Sequence, residues 1–186
     1  RFTAISETEG AIASVEPRYS FLVRQEIRGK HEQLIAVNVD IAVIVASITA
    51  PPLKPALIDR YLIAAARGGM HPLIAVNKID LLEKGSVEEL IYQEALSAYK
   101  KLKIPLIALS THTHEGIEEL KRAIAGKCTV FVGQSGVGKS SLLNILFDLQ
   151  LKTGLLTEKT QKGSHTTTNA QLIPLTDGGY CVDTPG

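Results

Sequence analysis

The hydrophobic and polar positions change rhythm near residue 38. Before that point apolar residues come in short β-prone pieces, 11–15 and 19–23, punctuated by Pro17 and Gly29. Residues 1–37 are too few to bury a stable core alone. They predict the C-terminal part of a small β domain, a partial OB-fold, with a second domain over 38–186. Residues 39–48 then form a nearly unbroken apolar run rich in Val and Ile. Such a run suits a strand buried on both faces, as in a parallel sheet under helices. Pro51 and Pro52 stop it. Pro55 opens a helical period through Leu57, Ile58, Tyr61, Leu62 and Ala65, and Gly68 and Gly69 close it.

The unit repeats. Strands are predicted at 72–76, 104–109 and 128–132, and helices at 87–102, 117–124 and 139–149. Alternation of this kind means βαβ units with right-handed crossovers, hence an α/β fold with a mostly parallel sheet and helices on both faces. The end differs: 170–175 and 180–182 flank Asp177-Gly178-Gly179, a hairpin turn that predicts one antiparallel edge pair. Between lies 151–168, polar, rich in Lys, Thr and Gly and without a period, which predicts a mobile loop.

Composition narrows the classes. The chain has 186 residues, and 20 Lys+Arg against 19 Asp+Glu leave a formal net charge of +1. A polybasic tail or an acidic solvating chain is therefore excluded as the main feature. No apolar run approaches the roughly 18 residues that span a bilayer, so no membrane partner is expected. The two cysteines, Cys128 and Cys181, sit inside apolar runs and are expected as small buried hydrophobes in a reducing, cytoplasmic protein.

Chemistry concentrates in one word, Gly133-Gln134-Ser135-Gly136-Val137-Gly138-Lys139-Ser140, followed by Ser141. It fits G-x-x-x-x-G-K-[ST], after a predicted strand and before a predicted helix. The glycines let backbone N–H groups wrap a polyphosphate, and the helix N-terminus adds partial positive charge. Lys139 can reach the β- and γ-phosphates, and the Ser140 hydroxyl can coordinate Mg²⁺.

A P-loop does not name the base. Asn77-Lys78-Ile79-Asp80 follows the 72–76 strand, at the strand end where α/β sheets bind ligands. The Asp80 carboxylate can accept both N1–H and the N2 amine of guanine, whereas adenine would leave it unpaired. Rejection of that kind reaches about 10⁴-fold. Asn77 can bridge loops beneath the base, and the Lys78 stem can cover its plane. Alone, N-K-x-D is a weak match that a solvated strand-end turn also satisfies; beside a P-loop it is strong. Ser110-Thr111, after the 104–109 strand at the same rim, offers backbone N–H groups to guanine O6.

Asp183-Thr184-Pro185-Gly186 closes the sequence. Asp183, ending an apolar strand across from the P-loop, is expected in the outer coordination sphere of Mg²⁺, and the Gly186 N–H can meet a γ-phosphate. In the 151–168 stretch, Thr166, Thr167 and Thr168 are alternatives for completing the Mg²⁺ shell, with Thr167 favoured. His165 is a candidate for positioning water, or an exposed loop histidine. His112 and His114 lack a partner that would complete a metal set and read as a solvated loop. No zinc site is expected. A P-loop ATPase or small-molecule kinase, or a nucleotide-dependent binding module without hydrolysis, remains an alternative.

The order of these words carries a resemblance. Ras-like GTPases run P-loop, switch threonine, D-x-x-G, N-K-x-D and then the serine loop. Here the same cycle begins at N-K-I-D, which predicts a circularly permuted GTPase with spatial strand order 170–175, 179–183, 128–132, 40–46, 72–76, 105–109. With Gly29-Lys30, Ala36-Val37-Asn38-Val39-Asp40 and Gly163-Ser164-His165-Thr166-Thr167-Thr168, the chain resembles the bacterial ribosome small subunit-dependent GTPase family (RsgA, also called YjeQ) over nearly its whole length. The resemblance implies GTP or GDP with Mg²⁺ and hydrolysis stimulated by the small (30S) ribosomal subunit late in its maturation. It implies rRNA contact, a role in hydrolysis for His165, and a zinc-binding C-terminal domain that this sequence lacks. A monomer is expected, as a piece of a longer protein.

Overall fold

A computed structural model describes residues 2–4, 10–25, 32–147, 171–175 and 178–183. In chain order its strands are β1 (Phe2–Ala4), β2 (Gly10–Ile12), β3 (Phe21–Gln25), β4 (Glu32–Val37), β5 (Ile41–Ser47), β6 (His71–Asn77), β7 (Leu106–Ala108), β8 (Cys128–Val132), β9 (Gln171–Pro174) and β10 (Tyr180–Asp183). Its α-helices are α1 (Pro55–Arg67), α2 (Val87–Lys101), α3 (Ile117–Ile124) and α4 (Lys139–Phe147). The expected loop over 151–168 lies outside the described residues, as does the end of the helix predicted to 149.

Six strands form one sheet in the order β7-β6-β5-β8-β10-β9. All its pairs are parallel except β9–β10. This is the order expected for a permuted GTPase, with the predicted hairpin at its edge. The β5 sequence shows why. Its side chains alternate, so Val43 and Val45 enter one apolar cluster while Ile44 and Ala46 enter the other. The first cluster takes Ile117, Leu120 and Ile124 of α3 and Leu142, Leu143 and Leu146 of α4. The second takes Ile58 of α1 and Tyr92, Ala95 and Tyr99 of α2. Pro55 starts α1, and Ser86 caps α2 by accepting the Glu89 N–H at 3.1 Å. The Tyr99 hydroxyl donates to Asp59 at 3.0 Å, joining α2 to α1. Burial and that carboxylate push the phenol well above its ordinary range.

The N-terminal strands form two antiparallel pairs, β1–β2 and β3–β4. Their bounds differ from the 11–15 and 19–23 expected, because two- or three-residue alternation fixes existence better than limits. The β3–β4 pair is not separate from the α/β sheet. Leu22 and Ala36 pack against Ala42, Val130 and Val182, which covers the part of the α1–α2 face that those helices leave open. Ser20 makes the joint. Its buried hydroxyl donates to the Val39 carbonyl at 2.6 Å and accepts the Val39 N–H at 2.7 Å. The Tyr19 hydroxyl donates to Asp40 at 3.1 Å, and the other Asp40 carboxylate oxygen accepts the Cys128 N–H at 2.8 Å. Asp40 and partial burial raise the Cys128 thiol pKa, burial first, so this cysteine stays protonated; Cys181 is fully buried. Ser20→Ala leaves both backbone groups of Val39 unpaired and is expected to cost about 2 kcal/mol. A fall in the urea midpoint at unchanged slope would show it.

Candidate functional site

Three loops meet at the carboxyl ends of β8, β6 and β7. The first, 133–138, leaves β8 and enters α4. Gly133 has φ +151° and Gly138 φ +94°. A Cβ at Gly133 would run into the Val45 carbonyl, and one at Gly138 into the Asn77 amide. Only glycine fits both places, so the backbone is bent into a cradle whose amides gather at the α4 N-terminus. The Lys139 ammonium donates to the Gly133 carbonyl at 2.7 Å and to the Gln134 carbonyl at 2.9 Å. It is thereby held across the loop mouth. Burial lowers its pKa from the ordinary lysine value.

Asn77 ends β6 with no exposure at all. Its amide nitrogen donates to the Val137 carbonyl at 2.9 Å and to the Thr111 hydroxyl at 3.4 Å. Its amide oxygen accepts the N–H of Lys78 at 2.8 Å and of Thr111 at 3.1 Å. One side chain thus fastens all three loops. Asn77→Ala strips four partners and leaves buried backbone groups unpaired, at an expected cost of about 2–3 kcal/mol. Chemical denaturation measures it, and the guanine-nucleotide affinity should fall in the same variant.

Lys78 takes the left-handed conformation, φ +65°. Its ammonium donates to the Gly136 carbonyl at 3.1 Å and to the Ala50 carbonyl. The chain then makes one 3-10 turn, Ile79–Leu81, which presents an exposed Asp80 on the same rim. Sequence reasoning did not anticipate this turn or the link from Lys78 to the loop after β5. Nothing in the spacing of residues 48–54 signals that link.

The Ser110 loop differs from expectation. The Ser110 N–H donates to Glu115 O at 3.0 Å, and the Thr111 N–H goes to Asn77. The Ser110 hydroxyl accepts the N–H groups of His112 at 3.1 Å and Thr113 at 3.0 Å. Both amides proposed for a base oxygen are therefore engaged inside the protein, and such a contact has to share or exchange one of them. His112 and His114 are exposed, and among the described residues no group of three or more His, Cys, Asp or Glu side chains is placed to hold a metal.

The P-loop residues Gln134, Ser135, Gly136, Val137, Ser140 and Ser141 lie together between β8 and α4, and Ser140 is partly buried in the first turn of that helix. Asp183 ends β10, two strands from β5 and beside β8. His165, Thr166, Thr167, Thr168 and Gly186 lie outside the described residues. The glycine cradle, the α4 N-terminus and the Lys139 ammonium fit a polyphosphate. For Mg²⁺ the described part contributes the Ser140 hydroxyl.

The comparisons agree with this geometry. The family model described as RsgA GTPase matches residues 15–186. The protein named small ribosomal subunit biogenesis GTPase RsgA from Ectopseudomonas mendocina is 42% identical over 183 residues, covering 97% of this chain and 52% of that protein. The one from Chlorobaculum parvum is 43% identical over 190 residues, covering 97% and 60%. The crystal structure of YjeQ from Thermotoga maritima superposes with a TM-score of 0.75 at 32% identity, over 100% of this chain and 58% of that one. YloQ, described as a circularly permuted GTPase, gives 0.72 at 30% identity. The chain spans between half and three fifths of the length of these relatives. With its permuted strand order and its P-loop on β8, the chain belongs to the RsgA GTPase family.

Proposed function

We propose that this protein binds GTP and GDP with Mg²⁺ and hydrolyses GTP during late maturation of the small ribosomal subunit, with that subunit and its rRNA as the stimulating partner. The observation that supports it most is the fastening of the P-loop, the N-K-I-D turn and the Ser110 loop by the single buried Asn77. That arrangement puts a phosphate cradle and an exposed carboxylate on one rim. Relatives about 40% identical carry the name small ribosomal subunit biogenesis GTPase.

In this reading Asp80 accepts the guanine N1–H and N2 amine, and Lys78 covers the ring. Gly133 to Ser141 and Lys139 hold the phosphates, joined by the Gly186 N–H at the γ-phosphate. Ser140, Thr167 and Asp183 hold Mg²⁺, directly or through water; when bound, the ion neutralises charge on the β- and γ-phosphates. Water attacks the γ-phosphorus in line, the bond to the β-phosphate oxygen breaks, and GDP leaves with a Lys139-stabilised charge. His165, or the substrate's own phosphate, directs the attacking water. The chain acts in the cytoplasm as a monomer; among the described residues no helix is long and apolar enough to cross a membrane.

The test is GTP turnover by the full-length protein alone, with purified small subunits, and with large ones. Stimulation by the small subunit only is the expected outcome, and no stimulation by either rejects the ribosomal assignment. In the stimulated reaction His165→Ala should cut turnover at least about tenfold, the low end for a lost acid–base group being higher still, while GTP binding persists. An unchanged rate removes His165 from the mechanism.

A further inference from the structure

The helices return to the sheet at the end opposite the nucleotide loops, and basic residues collect there. Arg67 ends α1, Lys100 and Lys101 end α2, and Arg122 lies in the last turn of α3. Lys103 and Lys127 stand in the turns leading into β7 and β8. All six are exposed. Cations in a last helical turn complement the helix dipole, which accounts for the first four without any ligand. It does not account for Lys103 and Lys127, which lie beyond the helix ends. Lys103 even holds a left-handed backbone, φ +57°, that glycine or asparagine would adopt at lower cost.

Overall basicity does not explain the collection either, because the chain is balanced at +1. The acids are gathered at the other end, with Glu88, Glu89, Glu118 and Glu119 in first turns and Asp80 on the nucleotide rim. Asp40 is the acid within the basic rim, and its two oxygens are taken by Tyr19 and Cys128. The turns before β7 and β8 are separated by three strand spacings, about 14 Å, with Arg67 between them. Lys100 and Lys103 also flank an open cleft walled by Leu96, Ile104 and Pro105. A row of separated cations over that distance, beside an apolar wall, suits a chain of phosphates carried on sugars.

We propose that this rim, at the amino-terminal end of the sheet, is an RNA-backbone-binding surface. It deepens the ribosomal reading above and rests on it. The seven-residue β5 separates the rim from the nucleotide loops by about 20 Å. RNA can therefore be held without blocking nucleotide exchange.

The experiment uses the full-length protein and a fluorescein-labelled RNA hairpin, titrated across a series of salt concentrations. The variants are K100E/K103E/K127E and its neutral counterpart K100Q/K103Q/K127Q. The reversed variant should bind the hairpin at least about tenfold more weakly, with the slope of log affinity against log salt reduced by about two to three, and the neutral variant should fall between. GTP affinity should stay unchanged in both, which checks the fold. Affinity and slope equal to the unmodified protein overturn the proposal, as does an unmodified protein that ignores the hairpin. Displacement by polyglutamate at charge-matched concentration, as effective as by polyuridylate, also overturns it and assigns the rim to an acidic protein. Hairpin binding without any stimulation by small subunits rejects the ribosomal reading instead.

Discussion

Asp80→Asn is expected to weaken GTP binding by about 10³-fold or more and to admit xanthosine triphosphate in its place. The carboxylate carries only acceptors, matched to the two N–H groups on the guanine edge. An amide turns one acceptor into a donor, which faces a guanine donor and is repelled. Xanthine carries a carbonyl where guanine carries the amine, so the same amide now finds a partner. The effect is large because the turn is fixed. The Ile79 N–H donates to Leu109 O at 3.2 Å and the Leu81 N–H to Lys78 O at 3.0 Å, so residue 80 cannot retreat. Competition between labelled GTP and unlabelled xanthosine triphosphate reads the exchange directly. A variant that keeps full GTP affinity would show that Asp80 does not read the base, and the kinase and ATPase alternatives would return.

Lys139→Ala is expected to lower GTP affinity by about 10²- to 10³-fold, the loss of about two hydrogen bonds from a charged donor. The ammonium already lies among the carbonyls of Gly133 and Gln134, so its approach to phosphate needs no long rearrangement. Its pKa is lowered by burial, and a bound polyphosphate would raise it again. Binding therefore takes up a proton, and GTP affinity should fall as pH rises through the lowered value. In Lys139→Ala that alkaline dependence should disappear. Stability moves the opposite way. A lysine whose folded pKa lies below its unfolded one leaves the folded state with fewer protons, so its cost to folding is relieved as pH rises through that lowered value. Calorimetric titration in two buffers of different ionisation enthalpy measures the proton uptake. An affinity insensitive to Lys139→Ala would remove the lysine from the phosphate site.

Much of this was legible in the sequence, for physical reasons that differ by element. The continuous Val/Ile run of β5 and the ordered words on the strand ends determine strand order, because each nucleotide-facing loop must follow its strand. The helix Ile117–Ile124 and strand Cys128–Val132 have the bounds that periodicity gives. The joint at Ser20 and Val39 was not legible, since a buried hydroxyl looks like any serine until its partner is brought beside it. The same holds for Lys78, whose flexible stem reaches Gly136 through space. The commitment of the Ser110 and Thr111 amides was missed for a local reason. A serine followed by two polar residues folds its hydroxyl back on their N–H groups, and attention to the rim alone overlooks that. The roles of His165 and Thr167 rest on sequence words outside the described residues.

The permuted order has a consequence for how the chain is made. Synthesis delivers β5, α1, β6, α2 and β7 before β8 and its P-loop exist. Those five elements are neighbours in both sequence and space, so their contacts close short loops and form early. The base-reading turn is thus assembled on a half-sheet whose β5 edge stands open. β8 must then enter between β5 and β10, completing Asn77's bond to Val137 only as it arrives. A nascent chain therefore cannot capture nucleotide until the last strands are in place, and ligand capture becomes a report that the sheet is finished. In an unpermuted GTPase the phosphate loop comes first and waits for the base loops; here the order of waiting is reversed.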